Sequence, residues 1–203
     1  MKSVVFTQRV EVIESYNERR DCADQRISDF IRTCGFLPVP IPNYPKIAEE
    51  IVETINPSGI VLVGGNSLVK YGGNAPERDE TDKILIDLAI RKSIPLYGFC
   101  RGMQSILDYF GESLVKVSGH VAVHHEVKGV EGTDFVNSYH NEACISLKSN
   151  DLIPLLSTDD GVIEKVKHSV YQIVGTMWHP EREKPFREKD IRLLTTLIGG
   201  NEK

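Results

Sequence analysis

The 203 residues carry 24 Lys and Arg against 29 Asp and Glu, a formal net charge of −5, with 40% hydrophobic and 7% aromatic residues. Such a chain makes one domain, 1–203, able to bury a core without staples, and its composition excludes disordered, collagen-like and repeat-fibre classes. The acidic balance without long charge runs argues against a general nucleic-acid footprint, and no apolar stretch reaches the ~18 residues of a membrane span.

The opening residues read as a strand over 3–6, too short an apolar run for a signal peptide, so the cytoplasm is the expected location. The next stretch, with Arg9, Arg19 and Arg20, reads as a loop. Ala23, Ile27, Phe30 and Ile31 predict a helix over 21–34, stopped by Gly35. An apolar run over 36–41, interrupted by Pro38 and Pro40, predicts an edge strand. Ile47, Ile51, Val52 and Ile55 share a helical face over 46–55. A continuous apolar strand over 60–63 ends at Gly64-Gly65. A helix over 81–92, a strand over 94–99 and a helix over 103–110 follow. This alternation argues for parallel strands covered by helices on both faces. Beyond Gly111 the text becomes strand-rich, with short segments at 113–118, 121–128, 133–138, 143–147, 162–167 and 170–176, then a helix over 188–197. A three-layer α/β architecture with a strand-rich C-terminal half is expected.

The strongest chemical signal lies where the strand over 94–99 meets a helix, in Gly98-Phe99-Cys100-Arg101-Gly102. This is the cysteine counterpart of a nucleophile elbow. The sharp turn strains the nucleophile's backbone, and flanking side chains would collide, so glycine stands at both −2 and +2. The sulfur then sits at a helix N-terminus, which favours thiolate. A base is needed as well. His179 follows an apolar strand and has Glu181 two residues on, so an extended chain would point both side chains the same way and let the carboxylate orient the imidazole. Oxyanion donors are expected from the backbone N–H of Arg101 and of Gly65, with Asn66 beside them as a candidate substrate contact.

The elbow, together with Trp178-His179-Pro180-Glu181, resembles the class I glutamine amidotransferases, and in particular their free-standing γ-glutamyl hydrolases. The stretch 35–42, Gly64-Gly65, Arg78-Asp79 and 136–140 also fit that branch. The resemblance implies a flavodoxin-like α/β core with a mostly parallel central sheet and a catalytic Cys100, His179 and Glu181. It implies oxyanion donors at Gly65 and Arg101, and glutamyl-holding positions at Gln104, Ser138, Tyr139 and His140. It implies cleavage of a γ-glutamyl amide through a thioester, without metal or organic cofactor. The chain also resembles a short member of that branch in length and in its elbow and late motifs, and this resemblance implies a nucleotide-linked substrate, γ-glutamyl-CDP-amidate, in capsule polysaccharide biosynthesis. The alternative is a glutaminase subunit passing ammonia to a partner synthetase. Phosphates would need cations at the site mouth; Arg9, Arg19, Arg20, Lys70 and Arg101 are available, with Arg19 and Arg20 the favoured pair.

The other polar residues have blander readings. Cys22, Cys34 and Cys144 are expected in the core, with no zinc spacing among them. Of His124 and His125, one should face solvent and the other pack. His120 is a weaker candidate for the site, and His168 is expected in a turn.

Overall fold

Apolar runs bounded by glycine or proline become strands, and amphipathic stretches between them become helices, in the computed structural model, which describes residues 1–200. The first half contains β1 (Ser3–Phe6), a hairpin of β2 (Arg9–Ile13) and β3 (Glu18–Cys22), α1 (Gln25–Thr33), β4 (Leu37–Pro40), α2 (Pro45–Ile55), β5 (Gly59–Leu62), α3 (Pro76–Lys92), β6 (Leu96–Phe99) and α4 (Arg101–Tyr109). The second half contains β7 (Val115–Lys116), β8 (Val121–Gly129), β9 (Gly132–Tyr139), β10 (Glu142–Ala143), β11 (Leu152–Ser157), β12 (Ile163–His168), β13 (Ile173–Thr176) and α5 (Glu188–Gly199).

Nine strands form one sheet in the order β4-β1-β5-β6-β13-β12-β11-β8-β9. The first five run parallel, and β12, β11, β8 and β9 extend them antiparallel. Pro38 and Pro40 lie on the edge strand β4, where a missing donor breaks no ladder. Side-chain alternation divides the core between two faces. Val5, Ile60, Leu62 and Leu96 pack with Val52 of α2, Leu85 and Leu88 of α3, and Met103 and Ile106 of α4. Val4, Val61, Tyr97 and Phe99 pack with Phe30 and Ile31 of α1 and Leu194 of α5. The result is the expected three-layer, flavodoxin-like α/β arrangement.

Two expectations are corrected. The first helix begins at Gln25 rather than 21, because Asp24 caps it by accepting from the Arg26 N–H at 2.9 Å, while Asp21 and Cys22 belong to β3. The stretch carrying Arg9, Arg19 and Arg20 is thus the β2–β3 hairpin, turned at Asn17 in the left-handed region (φ 51°). A third unpredicted strand, after β2 and β3, is β11. Its Pro154 argues against an interior strand, yet the ladder to β12 shifts register between Pro154 and Leu156, where proline is tolerated.

Candidate active site

The parallel strands deliver their C-terminal ends to one edge of the sheet, where α/β sheets bind ligands. β6 ends at Cys100, β13 leads to His179, and β5 leads to Gly64-Gly65. The register sets Gly98 against Gly175, so Cys100 and His179 leave adjacent strands.

Cys100 has φ 50° and ψ −113°, a conformation that side chains other than glycine rarely adopt. Its N–H donates to the Thr176 carbonyl at 2.8 Å, which anchors the turn to β13. Both elbow glycines are required by contact. A Cβ at Gly102 would lie 2.0 Å from the Leu62 carbonyl oxygen, and one at Gly98 would lie 2.7 Å from the Gly102 carbonyl. Gly64 shows how close Cys100 and His179 come. A Cβ there would be 2.6 Å from His179 Cε1 and 3.5 Å from Cys100 Cβ, so imidazole and cysteine flank one point.

His179 and Glu181 are buried, with Nδ1 and Oε1 2.7 Å apart. The local chain is not extended through Glu181, as the sequence suggested. Pro180–Arg182 forms a single 3₁₀ turn, closed by the Arg182 N–H donating to the His179 carbonyl at 3.2 Å, and that turn folds the carboxylate back onto the ring. Asn137 clasps His179 from both sides. Its Oδ1 accepts from the His179 N–H and its Nδ2 donates to the His179 carbonyl, each at 2.9 Å. Arg26 of α1 donates to the carbonyls of Glu181 and Glu183, both at 2.6 Å. Neither positioning residue was singled out from the sequence, although Asn137 lies in the stretch 136–140.

Burial alone would lower the pKa of His179. The Cys100 thiolate and the Glu181 carboxylate reverse this and push it up to about 9. Since the folded value lies above histidine's ordinary ~6.5, the stabilisation is complete below pH ~6.5 and is lost as pH rises through about 9. The urea midpoint should therefore fall across that window. His120, pushed up to about 9 by Glu164 and Asp160 against burial, adds to the fall in any variant that keeps it. Cys100→Ala removes one of the groups that raise His179 and should flatten the profile relative to the parent; identical profiles would contradict the thiolate–imidazolium coupling.

The Gly65 turn is held from beneath. Arg78, fully buried, donates to the carbonyls of Val63 (2.5 Å), Gly64 (2.9 Å) and Gly65 (2.5 Å) and to Asn66 Oδ1 (3.2 Å). Three carbonyls drawn to one guanidinium leave the peptide N–H groups of the turn to face the opposite way. The Arg101 N–H lies at the first residue of α4, whose leading N–H groups have no intrahelical acceptor.

The remaining predicted residues divide. Gln104 and Tyr139 line a cavity of about 190 Å³ that also takes in Cys100, Gly65, Arg101, His179 and Arg182. Gln104 Nε2 donates to the Glu142 carbonyl at 2.9 Å, and the Tyr139 ring meets His179 edge-on at 5.6 Å. Asn66 and His140 also border this cavity, but their side chains are otherwise engaged. Asn66 pairs with both the N–H and the carbonyl of Val10 (2.8 and 3.0 Å), stapling the hairpin to the Gly65 turn. His140 Nε2 lies 3.1 Å from Glu164 Oε1. Ser138 is fully buried and donates to the His120 carbonyl at 2.7 Å, so its hydroxyl does not reach the cavity.

Among the cations, Arg19 is held by Glu77 (2.6 Å) and the Asn74 carbonyl (2.8 Å), Arg20 by Glu18 (2.5 Å), and Lys70 by Asp108 (2.6 Å). The Arg101 guanidinium is buried against Asp79, Asp82 and Ser105 beneath the elbow. Arg9 and the unpredicted Arg182 instead line a second cavity of about 110 Å³ with Gly64, Gly65, His179 and Glu181. Arg182 lies over the Tyr139 ring, 4.0 Å from its centroid. Cys22 borders this cavity rather than the core, whereas Cys34 and Cys144 are buried as expected. Another cavity, about 550 Å³, lies between α3 and α4, away from Cys100 and His179.

A thiol, an imidazole paired with a carboxylate and a turn presenting N–H groups are the components of acyl transfer. The chain is similar to several known proteins. The chain is 34% identical over 183 residues to the γ-glutamyl-CDP-amidate hydrolase of Campylobacter jejuni, covering 88% of this chain and 89% of that protein. It is 29% identical to a glutamine-hydrolysing GMP synthase component from Methanosphaera stadtmanae, covering 83% of this chain and 88% of that one. Its fold superposes on a glutamine amidotransferase from Thermotoga maritima with a TM-score of 0.67 at 18% identity, over 96% of this chain and 82% of the other. No described helix is long and apolar enough to cross a membrane. Residues 20–193 match the glutamine amidotransferase class-I family model, and the chain belongs to that family.

Proposed function

We propose that this protein hydrolyses a γ-glutamyl amide through a thioester on Cys100. The observation that carries this reading is the His179–Glu181 pair, 2.7 Å apart, set beside a cysteine held at positive φ. The Cys100 thiolate adds to the γ-carbonyl, and the developing oxyanion meets the N–H groups of Gly65 and Arg101. As the C–N bond breaks, the His179 imidazolium gives its proton to the leaving nitrogen. Water then adds to the thioester, His179 takes the water's proton, and the C–S bond breaks. Glutamate leaves, and thiolate and imidazolium are restored. Glu181 holds the tautomer and offsets the imidazolium charge throughout. Gln104 and the backbone of 139–142 border the place where the glutamyl end sits.

The best-supported substrate is γ-glutamyl-CDP-amidate, giving glutamate and cytidine diphosphoramidate, as the name of the Campylobacter relative suggests. That chemistry would place the enzyme in capsule polysaccharide assembly. The substrate's phosphates need cations with free donors. Arg9 and Arg182 border the cavity and are only loosely paired, Arg9 with Glu11 at 3.4 Å and Arg182 with Glu181 at 4.0 Å, while Arg19 and Arg20 are held more closely elsewhere. Arg9→Ala and Arg182→Ala should each raise KM for the nucleotide amide about 10-fold while changing KM for glutamine little, since a charge-assisted hydrogen bond is worth ~1.5–3 kcal/mol. Equal effects on both substrates would remove phosphate recognition.

The deciding assay is glutamate release from glutamine, simple γ-glutamyl amines, a γ-glutamyl peptide and γ-glutamyl-CDP-amidate. Rapid release from the nucleotide alone supports the hydrolase. The similarity to a GMP synthase component favours a second reading, in which the protein is a glutaminase that supplies ammonia. Release from glutamine that rises when a candidate synthetase is added would support it.

A further inference from the structure

Three of the six histidines converge on one carboxylate outside the acyl-transfer site. Glu164 of β12 is fully buried, and its Oε1 lies 3.1 Å from His140 Nε2, 3.3 Å from His125 Nε2 and 3.6 Å from His120 Nδ1. The His120 ring centroid is 5.0 Å from those of both His125 and His140. Hydrogen bonding accounts for only part of this gathering. His120 Nδ1, His125 Nε2, His140 Nδ1 and Glu164 Oε2 are all buried without a partner. Buried polar atoms are nearly always satisfied, so four in one cluster call for an explanation.

Charge sharpens the point. A buried carboxylate needs a cation. One imidazolium would supply that cation, but three imidazoles packed this closely cannot all be cations without repelling one another, and the neutral ones still leave His125 Nε2, His140 Nδ1 and Glu164 Oε2 without partners. One divalent ion at the centre removes both difficulties. The spacing suits it, because one ligand atom each from His120, His140 and Glu164 all lie within 4.8 Å of one another. With the two edges of 3.1 and 3.6 Å, a point exists within about 2.4 Å of all three, near the ~2.0–2.2 Å at which zinc meets imidazole nitrogen and carboxylate oxygen. An outer partner is also in place. His120 Nε2 lies 2.9 Å from Asp160 Oδ2, the arrangement by which a carboxylate fixes a ligating histidine's tautomer. An open cavity of about 370 Å³, bordered by His120, His125 and Asp160, gives a path from solvent.

We propose that His120, His140 and Glu164 form a binding site for a divalent transition-metal ion of the zinc class, with His125 or water completing the coordination. Two imidazoles and a carboxylate suit such ions better than magnesium or calcium. The ion would tie the start of β8, the end of β9 and β12 together behind the 139–142 stretch that borders the Cys100 cavity, so its role is to hold that wall rather than to react.

Zinc is the probe, and the full-length Cys100→Ala chain is the parent, because it has no elbow thiol to ligate metal. Metal content after loading and gel filtration should be about one zinc per chain. Cobalt(II) should give the intense visible bands of a tetrahedral site, and zinc should raise Tm. In Cys100→Ala chains that also carry His120→Gln or His140→Gln, zinc affinity should fall ~10–100-fold and the cobalt bands should vanish. Absence of stoichiometric zinc from the parent would overturn the proposal. So would equal zinc retention by the parent and the His120→Gln variant, the pattern of adventitious binding elsewhere. Should His140→Gln fail to fold, the His120→Gln comparison decides alone.

Discussion

Cys100→Ala is expected to lower glutamate release by about 10⁴-fold or more, since removing a nucleophile leaves only binding and oxyanion stabilisation. Cys100→Ser should be similarly inactive, because the proposed mechanism relies on a thiolate that a serine hydroxyl does not supply. Retained turnover in both would refute the thioester route. The same position makes a stability prediction that runs against ordinary propensity. Glycine normally costs ~0.5–1 kcal/mol relative to alanine. Here φ is 50° and ψ is −113°, a strain worth ~1–3 kcal/mol for any residue with a Cβ. Cys100→Gly should therefore be about 1 kcal/mol more stable than Cys100→Ala, or ~2–4 °C in Tm for a chain of this size. The reverse order would mean that the elbow is relaxed.

Replacing Arg78 should do comparable damage by another route. Its guanidinium touches neither Cys100 nor His179, yet it holds the carbonyls of Val63, Gly64 and Gly65. Arg78→Gln should lower kcat ~10²–10³-fold, the usual loss for one oxyanion donor, with a smaller change in KM. Stability should fall by ~3–5 kcal/mol, because the buried Asp82 loses part of its compensating charge and the turn carbonyls lose a buried donor. Arg78→Lys separates the two effects. An ammonium restores the charge but cannot span four acceptors in a plane. Stability should recover in part while kcat stays low. Recovery of kcat with the charge alone would show that the turn needs no clasp.

The elbow was legible because its glycines encode a steric demand, and the spacing of Gly98 and Gly102 matches the contacts with Gly102 and Leu62 that any side chain would violate. The parallel strands were legible because burial on both faces leaves unbroken apolar runs. The β2–β3 hairpin was not, since Glu18, Arg19, Arg20 and Asp21 are all exposed and look like loop text. Pro154 hid β11 for the reason given by its register shift. Among site residues, sequence supplied types but not partners. Nothing in the text says that Arg19 is spent on Glu77 while Arg9 and Arg182 border the cavity, or that Ser138 and Asn66 serve the frame. The clasps made by Asn137, Arg26 and Arg78 bridge remote segments, and one chain alone carries no mark of such pairing.

The pairing of β6 with β13 has a consequence for the chain as it is made. Tyr97 and Thr176, whose hydroxyls meet at 2.7 Å, are separated by 79 residues. Every strand between them extends the sheet beyond β13 or lies off it. On the ribosome, the cysteine is therefore translated long before the strand that carries its base. Under the proposed mechanism, Cys100 therefore meets His179 only once β13 has paired with β6, and a nascent chain that ends before β13 should not release glutamate.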